Sequence, residues 1–143
     1  MTQPASSRCV FTEGSICLPV GYREQTVNIL VAPHAPSLNI SRDILPPGEG
    51  FADYLSRQRT TLKKGLRKYE ALDEQPAALG DGLIQGISLL SRYQPQKSQS
   101  IYQRQAVFPV SSGVLIFTLA STSPLTEQDE TFFADCVSSY QYP

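Results

Sequence analysis

The 143-residue sequence predicts an α+β domain in which two helices pack on an antiparallel sheet. Short segments of apolar residues alternate with period two between turns rich in Pro and Gly, which is typical of strands. From Phe51 the apolar spacing changes to that of a helix, and a second helix is expected near the carboxyl end. The length fits one domain covering residues 1–143, because two hydrophobic cores would need a longer chain.

Four strands are predicted before the first helix. Residues 10–11 and 16–18 lie on either side of Glu13-Gly14-Ser15, which indicates a hairpin. Residues 27–31 and 38–42 alternate around the prolines at 33 and 36.

The first helix is predicted from an apolar stripe, and the second from a Pro and acidic residues in its first turn. The stripe of the first helix consists of Phe51, Leu55, Leu62, Leu66 and Tyr69. Three strands, at 83–93, 101–108 and 114–121, separate the helices. The second helix is expected to open at Ser123-Pro124, with its apolar side formed by Phe132, Phe133, Cys136, Val137 and Tyr140.

Composition predicts a folded protein that stays in the cytoplasm. With 41% hydrophobic and 17% charged residues, the chain does not have the composition of a disordered protein. Residues 1–7 lack the features of a secretory signal, and no apolar run approaches the roughly 20 residues that span a bilayer. Stable membrane insertion is therefore not expected. Three cysteines without a Cys-x-x-Cys pair are typical of reduced thiols.

Residues that could support catalysis are sparse, so the sequence predicts a binding protein without cofactor or metal. The single histidine, His34, lies in a Pro-rich loop, and the common nucleophile, nucleotide and zinc motifs do not occur. Asp129 and Glu130 are interpreted as charges at a helix N-terminus and not as a general acid/base pair.

Six cations follow the first helix: Arg57, Arg59, Lys63, Lys64, Arg67 and Lys68. They form either a solvated face that complements the helix dipole or a surface for an acidic partner. Nucleic acid is not an expected partner, because aromatic residues that stack on bases do not alternate with these cations.

Polar residues interrupt two apolar stripes. Gln58 lies on the inward side of the first helix, and Gln105 shares a strand face with Val107. A buried amide is costly unless it is hydrogen-bonded. Either neighbouring backbone satisfies both amides, or they line a mixed groove that binds a guest. The face carrying Val27, Ile29, Asn39 and Ser41 has the same mixed character, which suits either a half-exposed sheet or a transmembrane-type helix rich in small residues.

Five segments resemble the Eag chaperones of type VI secretion systems, a branch of the DcrB-like family. The most specific are Ile-Ser-Arg-Asp at 40–43 and Phe-Ala-Asp-Tyr at 51–54. The remaining similarity includes residues 25–29, 104–108 and 114–119, and the resemblance extends from about residue 8 to residue 140.

The resemblance implies a Mog1/PsbP-like fold, a cradle-shaped homodimer and a client. The client would be the N-terminal transmembrane region, beside a PAAR domain, of a secreted effector such as an Rhs toxin, delivered to the VgrG spike. The groove positions that it implies are Val27, Ile29, Asn39, Ser41, Gln58 and Gln105. Asn39 departs from the family pattern, in which an apolar residue is common. The alternative is an adaptor that binds a folded protein through the same sheet.

Overall fold

A computed structural model describes residues 7–111 and 113–142. Its elements, in chain order, are β1 (Arg8–Phe11), β2 (Gly14–Cys17), β3 (Asn28–Leu30), β4 (Ser37–Asp43), α1 (Phe51–Gly65), β5 (Glu70–Leu79), β6 (Ile84–Gln96), β7 (Gln99–Val110), β8 (Gly113–Ser121) and α2 (Glu127–Ser138). Strands β3 to β8 form one sheet in the order β3-β4-β8-β7-β6-β5, and β1 pairs with β2 as a separate hairpin. All these pairings are antiparallel, which confirms the predicted α+β class.

The two faces of the sheet bury different cores, because successive side chains of a strand point to opposite sides. On the α2 face, Phe108 and Phe117 meet edge to face with ring centroids 6.0 Å apart, and Phe133 of α2 packs against the same cluster. On the α1 face, Tyr54 and Leu55 pack against Val107 and Val114. Each face of the sheet therefore carries its own apolar core, which lies under one of the two helices.

Strand β5 was not predicted from the sequence. Its ten residues are mostly exposed, and they include acidic residues and Pro76, so apolar alternation is weak. The structure places β5 at the edge of the sheet, where one side of the backbone needs no partner strand and a proline is tolerated. Pairing with β6 along nearly its full length specifies this strand, and that pairing is not visible in the composition of β5.

Both helices are shorter than predicted. Helix α1 ends at Gly65 with Leu66 as its C-cap, so Tyr69 lies beyond it. Helix α2 starts at Glu127, three residues later than expected, because Thr126 forms the N-cap. The Thr126 hydroxyl accepts from the Asp129 amide at 3.1 Å, and the Asp129 carboxylate accepts from the Thr126 amide at 2.9 Å.

The predicted apolar side of α2 is correct at Phe133 and Val137, which are buried, and wrong at Phe132, which is 45% exposed. Cys136 and Tyr140 are half-buried against the same core. Within residues 7–111 and 113–142, no helix combines the length and apolar character that crossing a bilayer requires.

Candidate functional site

Sheet register brings Ile29, Asn39 and Gln105, which were singled out from the sequence, into one row that crosses five strands. Ile29 of β3 lies opposite Asn39 of β4, and Asn39 lies opposite Thr118 of β8. Thr118 in turn lies opposite Gln105 of β7, and the row continues to Leu89 of β6. Residues directly opposite one another point to the same side, so the row lies on the α1 face.

A second row runs beside the first on the same face. Ser41 lies opposite Ile116, and Ile116 lies opposite Val107. Apolar and polar side chains therefore lie beside one another on this face of the sheet. We call these two rows the mixed surface, and its residues are Ile29, Asn39, Ser41, Leu89, Gln105, Val107, Ile116 and Thr118.

Helix α1 covers one end of the mixed surface and contributes Gln58. A narrow cleft of about 60 Å³ lies between the helix and the sheet, lined by Gln58 and Leu62 on one side and by Leu89 and Gln105 on the other. A cleft of this size has room for only a few water molecules. Gln58 and Gln105 thus lie together at the edge of α1.

Val27 lies just before β3, because the strand is shorter than the predicted 27–31 segment. Its side chain is 47% exposed, and Ile29 is 61% exposed. The structure therefore brings five of the six predicted site residues onto the α1 side of the sheet and places Val27 at the margin.

The two amides of the first row differ in their hydrogen bonding. Gln105 Nε2 donates to Thr118 Oγ1 at 3.3 Å, so this side chain is satisfied partly within the sheet. Asn39 Oδ1 is buried and has no hydrogen-bond partner among the described residues. A buried carbonyl without a donor is costly, so the Asn39 amide is an unused polar group in the mixed surface.

Hydrogen bonds of Arg42 and Asp43 connect β3, β4 and α1 around the mixed surface, and we call these contacts its frame. Arg42 Nη1 donates to the Thr26 carbonyl at 3.2 Å and to Asn28 Oδ1 at 2.7 Å, and thereby ties the start of β3 to β4. Asp43 Oδ2 accepts from the Tyr54 hydroxyl at 2.8 Å, which joins β4 to α1. Burial, together with the hydrogen bond to the Asp43 carboxylate, raises the pKa of Tyr54 above its ordinary value.

Ion pairs at both sides of α1 add to this frame. Arg57 pairs with Glu49 through two hydrogen bonds of 3.1 and 2.9 Å, and its guanidinium lies 5.3 Å from the centre of the Tyr54 ring. Arg59 pairs with Glu74 of β5. Two of the six cations of the predicted basic stripe therefore hold the helix in place, which favours a structural role for that part of the stripe.

Gly113 allows β8 to approach the end of β4. A Cβ at this position would lie 2.3 Å from the Asp43 carbonyl oxygen, and the φ of +138° is one that other residues rarely adopt. Any side chain here would push apart the strands that hold Asp43.

Thr118, Leu89 and Ile116 were missed as site residues. A signal existed in β8, where Thr118 is a polar residue between the apolar residues Phe117 and Leu119. Its position beside Asn39 and Gln105 depends on the pairing of three strands, and sequence alternation alone does not specify this.

His34 lies in an exposed loop with a φ of 60°. Among the described residues, no group of three or more His, Cys, Asp or Glu side chains is arranged to hold a metal ion.

Comparison with known proteins gives one family and a shared fold. The DcrB family model matches residues 13–139. The structure is similar to that of PA94 from Pseudomonas aeruginosa, a protein of unknown function, with a TM-score of 0.71 and 22% identity over 98% of this chain and 99% of that one. PsbP (CyanoP) from Synechocystis sp. PCC 6803 matches with a TM-score of 0.49 and 15% identity over 96% and 92% of the two chains. Comparison with curated proteins finds no match.

Proposed function

This chain belongs to the DcrB family, and we propose that it is an Eag-type chaperone that shields the transmembrane helices of a type VI secretion effector. The mixed surface carries this proposal. It is built from branched apolar residues with small hydroxyl and amide groups between them, on a rigid sheet framed by α1.

Such a surface suits a transmembrane helix as client. The packing faces of transmembrane helices are rich in Gly, Ala and Ser, which allow close approach. Apolar area removed from water stabilises the complex by about 25 cal/mol per Å². Amides such as Gln58 and Gln105, which line the cleft beside α1, can hydrogen-bond polar groups of the client and set its orientation.

The frame of the mixed surface supports the assignment to the Eag branch. Residues 40–43 and 51–54 carry the most specific resemblance, and the Arg42, Asp43 and Tyr54 side chains in these segments tie β3, β4 and α1 together. The most specific part of the similarity thus includes residues that shape the surface.

In full, the proposed client is the N-terminal transmembrane region next to the PAAR domain of an Rhs-type effector. The chaperone acts in the cytoplasm as a homodimer and promotes loading of the effector onto VgrG. Nucleic acid is not a proposed partner.

Co-expression tests this proposal. A tagged chaperone is produced with an effector fragment that contains the PAAR domain and transmembrane segments, and with a matched fragment from which only those segments are deleted. Captured complexes are then quantified by intact mass. We expect a complex with the first fragment only. Equal capture of both fragments would support the alternative, an adaptor that binds a folded partner, and would refute the chaperone proposal.

A further inference from the structure

Four cations at the end of α1 remain after Arg57 and Arg59 are assigned to the ion pairs that hold this helix. Two of them lie in the last turn of α1, and two lie in the connection from that helix to β5. All four residues are exposed. We call them the basic patch, which consists of Lys63, Lys64, Arg67 and Lys68.

The charges of the basic patch are not compensated. Within the described part of the chain, none of its cations pairs with a carboxylate, and the carboxylates nearby in β5 are engaged, Glu70 by Arg92 and Glu74 by Arg59. The dipole of α1 offsets only about half an elementary charge at this end of the helix. The patch therefore concentrates positive charge in a chain whose formal net charge is -1.

The backbone holds these charges in place. The Gln94 amide donates to the Arg67 carbonyl at 2.9 Å, and Arg67 Nη1 donates to the Gln94 carbonyl at 3.4 Å, so the connection is tied to the end of β6. Lys68 has a φ of 53°, a left-handed conformation that Gly and Asn adopt with less strain. A lysine here thus adds charge at a position where the backbone favours a different residue.

We propose that the basic patch binds an acidic segment of a partner protein. Clusters of cations recognise acidic segments through charge complementarity, which also speeds the encounter of the two partners. Each exposed charge pair contributes little by itself, so several cations must act together. Binding of this kind is sensitive to salt, because ions screen exposed charges.

The surroundings of the patch favour a short acidic segment over an anionic membrane. Strand β5 begins two residues after Lys68 and exposes the carboxylates of Glu70, Asp73 and Glu74. A lipid surface is broad, so its phosphates would also approach these carboxylates and be repelled by them. A polypeptide segment can contact the cations alone.

This second surface is separate from the one that carries the proposed function. The basic patch contributes no residue to the two rows of the mixed surface or to the cleft beside α1. An acidic partner and a transmembrane client therefore do not compete for the same side chains, and the inference holds whether or not the chaperone proposal does.

The test measures binding of a fluorescein-labelled oligoglutamate peptide to the full chain by fluorescence anisotropy. An oligoglutamine peptide of equal length is the uncharged control probe. The patch variant is Lys63→Gln/Lys64→Gln/Lys68→Asn. It keeps Arg67 and its contact with β6, and Asn tolerates the positive φ at position 68.

A matched pair of single variants separates position from total charge. Lys64→Gln removes one cation of the patch, and Arg23→Gln removes an exposed cation that forms no ion pair with the described residues and lies outside the patch. Far-UV circular dichroism checks that all variants keep the fold.

We expect the wild type to bind the oligoglutamate peptide and not the oligoglutamine peptide. The patch variant should bind at least about tenfold more weakly, because three exposed charge pairs are lost. Lys64→Gln should weaken binding about two- to threefold, and Arg23→Gln should change it less than about twofold. Added salt should weaken binding of the wild type and narrow its difference from the patch variant.

No binding of oligoglutamate by the wild type at low salt would overturn the proposal, as would equal binding by the folded patch variant. Vesicles of phosphatidylglycerol and phosphatidylcholine test the other source of negative charge. Co-sedimentation of the wild type with these vesicles, lost in the patch variant, would assign the patch to a membrane and overturn the proposal. An equivalent loss of oligothymidylate binding would assign it to nucleic acid and overturn it too. Since no effector fragment is present, each of these outcomes is distinct from failure of client capture.

Discussion

The Tyr54 hydroxyl donates a 2.8 Å hydrogen bond to Asp43 Oδ2, and this contact fixes α1 on the sheet. The Tyr54 side chain is almost fully buried, and Asp43 ends the strand that carries Asn39 and Ser41. The bond therefore couples the helix that covers the mixed surface to the strand at its centre.

Tyr54→Phe should lower the free energy of unfolding by about 1–3 kcal/mol, since it leaves a half-buried carboxylate without its donor. Urea unfolding followed by circular dichroism measures the change. Tyr22→Phe is the matched control, because this tyrosine is 70% exposed. Equal stability of the two variants would show that the Tyr54 hydroxyl does not stabilise the fold.

The raised pKa of Tyr54 predicts a pH dependence at the alkaline end. Because the folded state holds the proton more tightly than the unfolded state, the contribution is complete below about pH 10, where an unfolded tyrosine is still protonated. It is lost as the pH rises further. The stability difference between the wild type and Tyr54→Phe should thus shrink above pH 10 in urea titrations. A difference that stays constant or grows would contradict the assigned direction.

Removal of the Arg104 side chain should lower the stability of the protein without changing its binding to the client. This side chain is 7% exposed on the α2 face, where Nη1 donates to Ser88 Oγ at 2.9 Å and Nε lies 2.7 Å from Glu130 Oε2. Arg104→Ala should cost about 1–3 kcal/mol, less than for a fully buried pair because Glu130 is partly exposed. Client capture should not change, since the mixed surface lies on the other face.

Arg92→Ala is the control for Arg104→Ala. Its ion pair with Glu70 is exposed and should contribute below about 1 kcal/mol. If Arg104→Ala abolished capture at a temperature where the variant is folded, binding would involve the α2 face, contrary to the assignment.

Asn39→Leu should stabilise the free protein by about 1 kcal/mol. The substitution removes a buried carbonyl that has no donor and replaces it with an apolar side chain of similar size. Thermal or urea unfolding measures the effect, and Asn28→Leu is a useful comparison because Asn28 Oδ1 already accepts from Arg42. Loss of stability in Asn39→Leu would show that the amide is satisfied in solution.

Much of the fold is encoded locally, and these parts were predicted. Alternation identified β3, β4 and β6 to β8, and the change of period at Phe51 gave the start of α1. The end of that helix was misjudged because Leu66 and Tyr69 continue the apolar spacing beyond Gly65, where the backbone already becomes extended. Strand β5 was not predicted because it is a strand through its pairing with β6 and not through its composition.

The candidate site was predictable to the extent that it depends on sequence alternation. Polar residues at apolar positions singled out Gln58 and Gln105, and both line the cleft beside α1. The bond from Gln105 to Thr118 and the unpaired Asn39 carbonyl depend on which strands are neighbours. Gln105 and Thr118 are 13 residues apart across the β7–β8 hairpin, but Asn39 and Thr118 are about 80 residues apart in the chain, and no local pattern specifies the pairing of β4 with β8.

The most direct test of the central claim, that the mixed surface binds an apolar transmembrane segment, is capture of the transmembrane effector fragment by Ser41→Glu. Ser41 is half-buried in the second row opposite Ile116, so a carboxylate there would be desolvated by an apolar client. We expect at least about tenfold weaker capture by Ser41→Glu, and unchanged capture by Leu83→Glu, an exposed position away from the surface. Wild-type capture by a folded Ser41→Glu protein would contradict the claim.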